Sequence, residues 1–181
     1  LKVNFPEDSF DIIMGDASLN QILFAKDVSR VVRKLFHVLK PDGLLLIREV
    51  VRLSPKPIVR GKKGWIKWFS KYQKGEITNM DLFNFYKYQS DANIYRKSPS
   101  IIDNLVMFDK LDKLSEKIKG FKKFISWLDK TLRRKSKPIL VFLKKDLEKL
   151  LEKYFKLLPI KQCHDNKHCR FMPLFLAKPK K

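Results

Sequence analysis

The sequence predicts an α/β fold, and three features support this prediction. A short apolar run at Phe10–Met14 is typical of a buried parallel strand. A second apolar run, Leu44–Ile47, has the same character. Between the two, apolar side chains recur at helical spacing on one face. Together they make a strand–helix–strand unit of the size of a parallel crossover, so we expect the two strands to be neighbours in one sheet.

The helix between these strands is predicted from its apolar positions, which are Val28, Val31, Val32, Leu35, Phe36 and Leu39. The tetrapeptide Lys40-Pro41-Asp42-Gly43 follows at once and is expected to end the helix, because proline and glycine commonly lie just past the last turn. The second strand should then begin at Leu44.

Residues 52–137 are predicted to be mainly helical. Trp65, Trp68, Phe69 and Tyr72 follow the spacing i, i+3, i+4, i+7, with lysines between them. A second helix is expected over 81–89, a third from Ser98-Pro99 to Gly120, and a fourth over 121–132. The aromatic faces have two interpretations: they form the core of this region, or they line an apolar substrate pocket.

The last part of the chain predicts one helix and a pair of strands. Apolar side chains at helical spacing run from Leu143 to Phe155. Two apolar segments, 157–162 and 170–178, are expected to be strands joined by a turn at Asp165-Asn166.

Charge is distributed unevenly along the chain. The net charge is +21, yet the first 50 residues hold seven of the 40 basic and seven of the 19 acidic residues. The whole excess therefore lies in residues 51–181. Such a field favours anionic partners such as nucleic acid. The excess of Lys over Arg instead suggests a compositional bias of the genome, because phosphate-binding proteins usually use arginine for bidentate contacts.

Cysteine and histidine cluster once, in the segment CHDNKHC. Its potential metal ligands are Cys163, His164, His168 and Cys169. Zinc sites usually draw ligand pairs from two separate turns, so we expect no metal here and interpret the cysteines as cross-strand neighbours. With two cysteines and no long apolar run, we predict a cytoplasmic protein without a membrane partner.

Two phrases give the sequence a family resemblance. FPEDSFDIIMGDASLNQI and VVRKLFHVLKPDGLLLIREV resemble the second half of class I S-adenosylmethionine-dependent methyltransferases. There, a phrase like F-D-x-I begins the fourth strand, and one like L-K-P-G-G-x-L-x-I leads into the fifth. Here Asp42 replaces the first glycine of that second phrase.

The resemblance implies a particular organisation of the chain. Residues 1–51 would be a strand–helix–strand part of the core, 52–137 a helical insertion after the fifth strand, and 138–181 the helix and strand pair that complete the core. The fold would be a partial Rossmann-like methyltransferase sheet, from the fourth strand to the last, whose final strand runs antiparallel.

The resemblance also implies a missing part. The family holds its cofactor mainly with a Gly-rich turn after the first strand, and no G-x-G-x-G occurs in this sequence. The three βα units that precede the fourth strand would need on the order of 90 residues, and that length is absent before Phe10. We therefore expect a fragment that is inactive alone.

The candidate site residues follow the predicted strand ends, where open α/β sheets bind ligands. Gly15, Asp16, Ala17 and Leu19 would contact S-adenosylmethionine. Asn20, Gln21, Glu49, Arg52 and Trp65 would contact the substrate, with the insertion as a lid. We name no catalytic base. The predicted substrate is a small molecule; the alternative is a basic RNA- or protein-interaction module on a non-catalytic fold of this type.

Overall fold

A computed structural model describes residues 5–91, 99–132, 137–160 and 169–181. The chain divides into two compact units. The first contains Leu1–Leu53 and Phe142–Lys181, and the second contains Ser54–Val141. Among the described residues, no helix is both long and apolar enough to cross a membrane.

The described secondary structure consists of seven strands, six α-helices and two short 3-10 turns. The strands are β1 Phe10–Asp16, β2 Leu39–Arg48, β3 Val51–Arg52, β4 Ser100–Ile102, β5 Ile139–Leu143, β6 Phe155–Leu158 and β7 Leu174–Pro179. The helices are α1 Ala25–Val38, α2 Gly61–Gln73, α3 Asn79–Gln89, α4 Asn104–Ser115, α5 Phe121–Leu132 and α6 Lys144–Glu152. The 3-10 turns are Leu19–Gln21 and Cys169–Phe171.

The first unit is built on a mixed sheet of four strands in the order β1-β2-β7-β6. Strands β1 and β2 are parallel, and β7 is antiparallel to both β2 and β6. Three strands therefore share one direction and the last strand opposes them, as the resemblance implied. The register aligns Asp16 with Arg48, so β1 and β2 end side by side.

The transition from α1 to β2 differs from the prediction. The helix ends at Val38, and Leu39 already has extended backbone angles (φ −83°, ψ 134°). The tetrapeptide at 40–43 thus lies inside the strand and does not form a separate turn. Pro41 limits how far the helix could extend, because a proline disfavours helical angles at the residue before it, here Lys40. Gly43 is needed for packing, since a Cβ there would lie 2.9 Å from Leu39 Cγ.

The last helix is shorter than its apolar pattern suggested. Residues Ile139–Leu143 form the fully buried strand β5, which the sequence analysis did not predict, and α6 begins only at Lys144. Phe155, expected at the end of the helix, begins β6. Strand β7 begins at Leu174, later than the predicted start at 170. The expected turn at Asp165-Asn166 lies outside the described residues.

The second unit contains four helices, α2 to α5. Aromatic side chains form its core: Trp65 stacks on Tyr86 with ring centroids 4.5 Å apart, and Phe69 contacts Phe121 at 4.3 Å. Trp65 is only 2% exposed. The helical spacing of these aromatic residues therefore reflects burial within this unit.

The third helix of the second unit does not begin at the predicted position. It begins at Asn104, where the Asp103 carboxylate accepts a hydrogen bond of 2.9 Å from the backbone N–H of Leu105. Residues 100–102 are instead a strand that pairs antiparallel with residues 139–141. The strand pairing of residues 100–102 overrides the helix start that Ser98-Pro99 suggested. Ser98 lies outside the described residues.

Candidate functional site

Two chain segments meet where β1 and β2 end. In open α/β sheets, ligands bind at the carboxyl ends of parallel strands. The pairing of β1 with β2 continues one residue beyond β1, since the N–H of Ala17 donates to the Arg48 carbonyl at 2.7 Å. Residues 16–21 therefore lie beside residues 48–50, and this edge is the candidate site.

A bidentate ion pair lies at the outer side of this edge. Arg48 donates from Nε to Asp16 Oδ1 at 2.9 Å and from Nη2 to Asp16 Oδ2 at 2.5 Å. The Asp16 and Arg48 side chains are 59% and 52% exposed, so both can also be reached from solvent. The Arg48 hydrogen bonds, helped by its charge, lower the pKa of Asp16. The carboxylate is therefore ionised and oriented.

Small residues flank Asp16 for a steric reason. Ala17 has φ +49°, a left-handed conformation that costs a non-glycine residue on the order of 1 kcal/mol. At Gly15, a Cβ would lie 3.1 Å from Ser18 Oγ and 3.3 Å from Ile47 Cγ2. The chain therefore turns sharply after the strand, with little room for larger side chains.

Behind this turn lies a buried carboxylate. Glu49 is fully buried and accepts the backbone N–H of Leu19 at 2.9 Å and that of Asn20 at 3.2 Å. Burial raises the pKa of Glu49 to about 7, although these hydrogen bonds oppose the shift. The negative charge of Asp16 raises it further.

Asn20 completes the connection between the two segments. Its Nδ2 donates to the Val50 carbonyl at 3.1 Å, and its Oδ1 accepts the Val50 N–H at 2.8 Å. The side-chain amide thus pairs with the backbone as a neighbouring strand would. Together, Glu49 and Asn20 hold the turn at 19–21 against the segment that follows β2.

The predicted site residues fall into three groups. Gly15, Asp16 and Ala17 lie at the accessible carboxyl end of β1, and Gln21 is exposed beside them. Leu19, Asn20 and Glu49 are buried, and the last two are engaged in the contacts just described. Arg52 is buried in β3, and Trp65 belongs to the second unit.

Arg48 is the residue that sequence reasoning missed. It is exposed at the end of an apolar strand, which by itself is unremarkable for an arginine. Its role follows from the register that sets it opposite Asp16. The sequence did contain a signal for this pair, because Arg48 and Asp16 carry opposite charges at equivalent ends of two neighbouring strands.

Most of the cysteine–histidine segment lies outside the described residues. Cys163, His164 and His168 lie outside the described residues, and the described part of the chain holds no group of three or more His, Cys, Asp or Glu arranged to bind a metal. The prediction that this segment binds no metal stays a prediction.

Part of this edge lies in a segment that matches a known protein family. Residues 1–47 match the family described as "Methyltransferase domain". The matched segment contains β1, α1 and most of β2, including the turn with Asp16. Over residues 1–47, this match confirms the resemblance to methyltransferases that the sequence motifs indicated.

One solved structure is also similar in outline, the PH0226 protein from Pyrococcus horikoshii OT3. The two share 12% sequence identity with a TM-score of 0.47, and the alignment covers 99% of this chain and 56% of that one. This chain thus spans little more than half the length of that structure. None of the curated proteins matches the chain.

Proposed function

We propose that this chain is the C-terminal part of an S-adenosylmethionine-dependent methyltransferase that acts on a small molecule. The cofactor would lie at the carboxyl ends of β1 and β2, and the helical unit at 54–141 would act as a lid over the substrate. The observation that carries the proposal is the accessible turn Gly15–Ala17, which lies within the segment that matches the methyltransferase family.

The residues of this turn fit part of such a cofactor. The Asp16 carboxylate is ionised, half-exposed and held by Arg48, so it can accept a hydrogen bond from the cofactor's ammonium group. The small residues beside it permit close approach of the main chain. The N–H groups of Leu19 and Asn20 already donate to Glu49. S-adenosylmethionine supplies the transferable methyl group, and most of its contacts would come from a preceding segment.

The open edge of β1 supports the proposal of a preceding segment. Within the described residues, β1 pairs with β2 on one side only. Ile12 and Met14 in this strand are 57% and 72% exposed. Strands of parallel sheets are normally covered on both faces, so further strands and helices beside β1 would bury these side chains. The chain alone would then lack the main cofactor site and be inactive.

The proposed lid has support from the course of the chain. It leaves the first unit at Leu53 and returns at Phe142, so the helical unit interrupts a single compact body. Many large aromatic residues of the helical unit, Trp65 among them, are buried in its own core. Substrate contacts from this unit would therefore come from its exposed side chains.

The two aspartates of β1 give a matched test of where the cofactor binds. Asp16 lies at the carboxyl end and pairs with Arg48, whereas Asp11 lies near the other end and pairs with Lys40 at 2.8 Å. In the product of the complete reading frame, Asp16→Asn should weaken S-adenosylmethionine binding about tenfold, because a charge-assisted hydrogen bond is lost. Asp11→Asn should leave affinity within about twofold. Isothermal titration calorimetry measures both.

Three outcomes would count against the proposal. If the complete protein does not bind the cofactor, the methyltransferase activity is wrong. If Asp16→Asn binds as the wild type does, or if both variants lose affinity equally, the cofactor lies elsewhere. Thermal unfolding of each variant separates a loss of affinity from a loss of fold.

The charge distribution favours a second candidate, a basic RNA- or protein-interaction module on a non-catalytic methyltransferase-like fold. All of the excess charge of +21 lies after residue 50. Such a module would bind RNA with an affinity that falls steeply with salt, and it would not bind S-adenosylmethionine. Binding of the cofactor by the complete protein, without RNA binding at physiological salt, would exclude the RNA-binding form of this candidate.

A further inference from the structure

Lysine side chains surround a small cavity in the second unit. Its lining residues are Gly61, Lys62, Trp65, Lys110, Lys113, Leu114 and Lys117. The cavity has a volume of about 220 Å³, below the roughly 300–1,000 Å³ of sites that enclose a drug-sized ligand. Its size therefore suits one compact polar group.

Asp91 organises one wall of this lysine cavity. Its carboxylate accepts the Gly61 N–H at 2.6 Å and the Trp65 Nε1–H at 3.0 Å. Lys110 Nζ donates to the Asp91 carbonyl at 3.0 Å and lies 3.5 Å from Asp91 Oδ1. Burial by itself would raise the pKa of Asp91, but the hydrogen bonds from Trp65 and Gly61 and the charge of Lys110 outweigh it and lower the pKa. Asp91 therefore stays ionised and balances Lys110.

Among the described residues, the other three lysines of the cavity have no acidic partner that balances their charge. Within the described ranges, Lys62, Lys113 and Lys117 make no salt bridge and no side-chain hydrogen bond, and the carboxylate of Asp91 beside the cavity is already paired with Lys110. Lys113 lies in the last turn of α4 and Lys117 lies just after the helix, and both line the same cavity, so their like charges repel each other there. An anion in the cavity would relieve this repulsion.

We propose that the lysine cavity binds the phosphate group of a phosphate monoester. A phosphate monoester carries a charge of about −1.5 to −2 at pH 7. Three unbalanced ammonium groups match that charge better than they match the single charge of a carboxylate. Lysine binds phosphate as a point charge and does not need the planar geometry of arginine. The site does not depend on the proposed methyltransferase activity, because phosphate binding requires no cofactor.

The test compares two pairs of lysines in the 181-residue chain. Lys113→Gln with Lys117→Gln removes two charges from the cavity, and Lys122→Gln with Lys123→Gln removes two from exposed positions on α5. Inorganic phosphate and glycerol 3-phosphate are titrated by calorimetry at constant ionic strength. We expect saturable binding with a Kd on the order of 1 mM, weakened about tenfold in the cavity variant and less than about twofold in the control.

The source of the phosphate is distinguished by a second arm. Cosedimentation with phosphatidic acid vesicles, but not phosphatidylcholine vesicles, that is lost only in the cavity variant would assign the site to a lipid headgroup. Binding of glycerol 3-phosphate without vesicle binding would assign it to a soluble ester. Either result supports the site.

Other results would overturn it. These are the absence of saturable binding to the wild type, equal weakening in both variants, and binding of a single-stranded RNA that both variants reduce alike. If the cavity variant fails to fold in a thermal scan, Lys62→Gln on α2 tests the same cavity from another helix, and unchanged affinity there would also overturn the proposal.

Discussion

Glu49 places a carboxylate where water cannot reach it. A buried charge is costly unless it is hydrogen-bonded, and here two backbone N–H groups donate to it. The same contacts satisfy the backbone N–H groups of Leu19 and Asn20 in the turn at 19–21. Glu49 is therefore a structural connection between the turn at 19–21 and the segment after β2, and its pKa of about 7 means that it titrates near neutral pH.

A pH dependence of stability follows from this position. The pKa of Glu49 is about 7 in the folded chain and 4.5 as its ordinary value. Between these values the folded state keeps a proton that the unfolded state releases, so the free energy of unfolding falls as pH rises from about 4.5 to about 7. The contribution is on the order of 3 kcal/mol.

The variant Glu49→Gln should flatten this pH dependence, because glutamine does not titrate. Urea unfolding at about pH 5 and about pH 8 measures the difference, and Glu152→Gln at an exposed position is the control. A wild-type slope in Glu49→Gln would show that Glu49 is not the titrating group.

Helix α3 has buried residues around most of its circumference, so its packing does not rely on a single apolar face. Its start is defined by a capping box: Thr78 Oγ1 accepts the Asp81 N–H at 3.1 Å, and Asp81 Oδ2 accepts the Thr78 N–H at 3.0 Å. This reciprocal pair satisfies two donors that the helix itself leaves free.

Thr78→Ala should lower the free energy of unfolding by about 1 kcal/mol, since the N-cap oxygen is lost. Thr78→Ser keeps that oxygen and should lower it by clearly less. Chemical denaturation of both variants gives the comparison. Equal losses in the two would mean that the methyl group of Thr78, and not its hydroxyl, is the important part.

Helical periodicity predicted α1, α2 and α6 in outline, because apolar spacing reflects which face is buried. It failed at Ile139–Leu143, where every side chain is buried and no alternation marks a strand. At the candidate site, the turn after β1 could be predicted from a strand that ends in small residues. The burial of Asn20 and Glu49 could not be predicted, because polar residues beside a strand end face a ligand in some proteins and the backbone in others, and only the three-dimensional contacts distinguish the two.

For the molecule as a whole, the edge of β1 is the most exposed part of the sheet. A flat edge with apolar side chains can pair with another chain, and Met14 is 72% exposed there. We therefore expect the 181-residue chain to self-associate with rising concentration.

Met14→Lys should reduce this self-association, because a charge on an edge strand opposes pairing. Ile66→Lys, at an exposed position in the helical unit, adds the same charge elsewhere and should have less effect. Sedimentation velocity at several concentrations measures both. Equal reduction by the two variants would point to net charge as the cause and not to the edge of β1.

The short parallel pairing of β3 with β5, which consists of two residue pairs, has an evolutionary consequence. Val51 pairs with Phe142 and Arg52 with Leu143, in parallel. The chain thus leaves the first unit at Leu53 and re-enters it at Phe142, at points that strand geometry sets on the order of 10 Å apart. A segment that starts and finishes at such a narrow gap can be lengthened, trimmed or exchanged between relatives while the sheet keeps its register. Related proteins could therefore diversify by exchanging the helical unit at 54–141, while the sheet of the first unit stays unchanged.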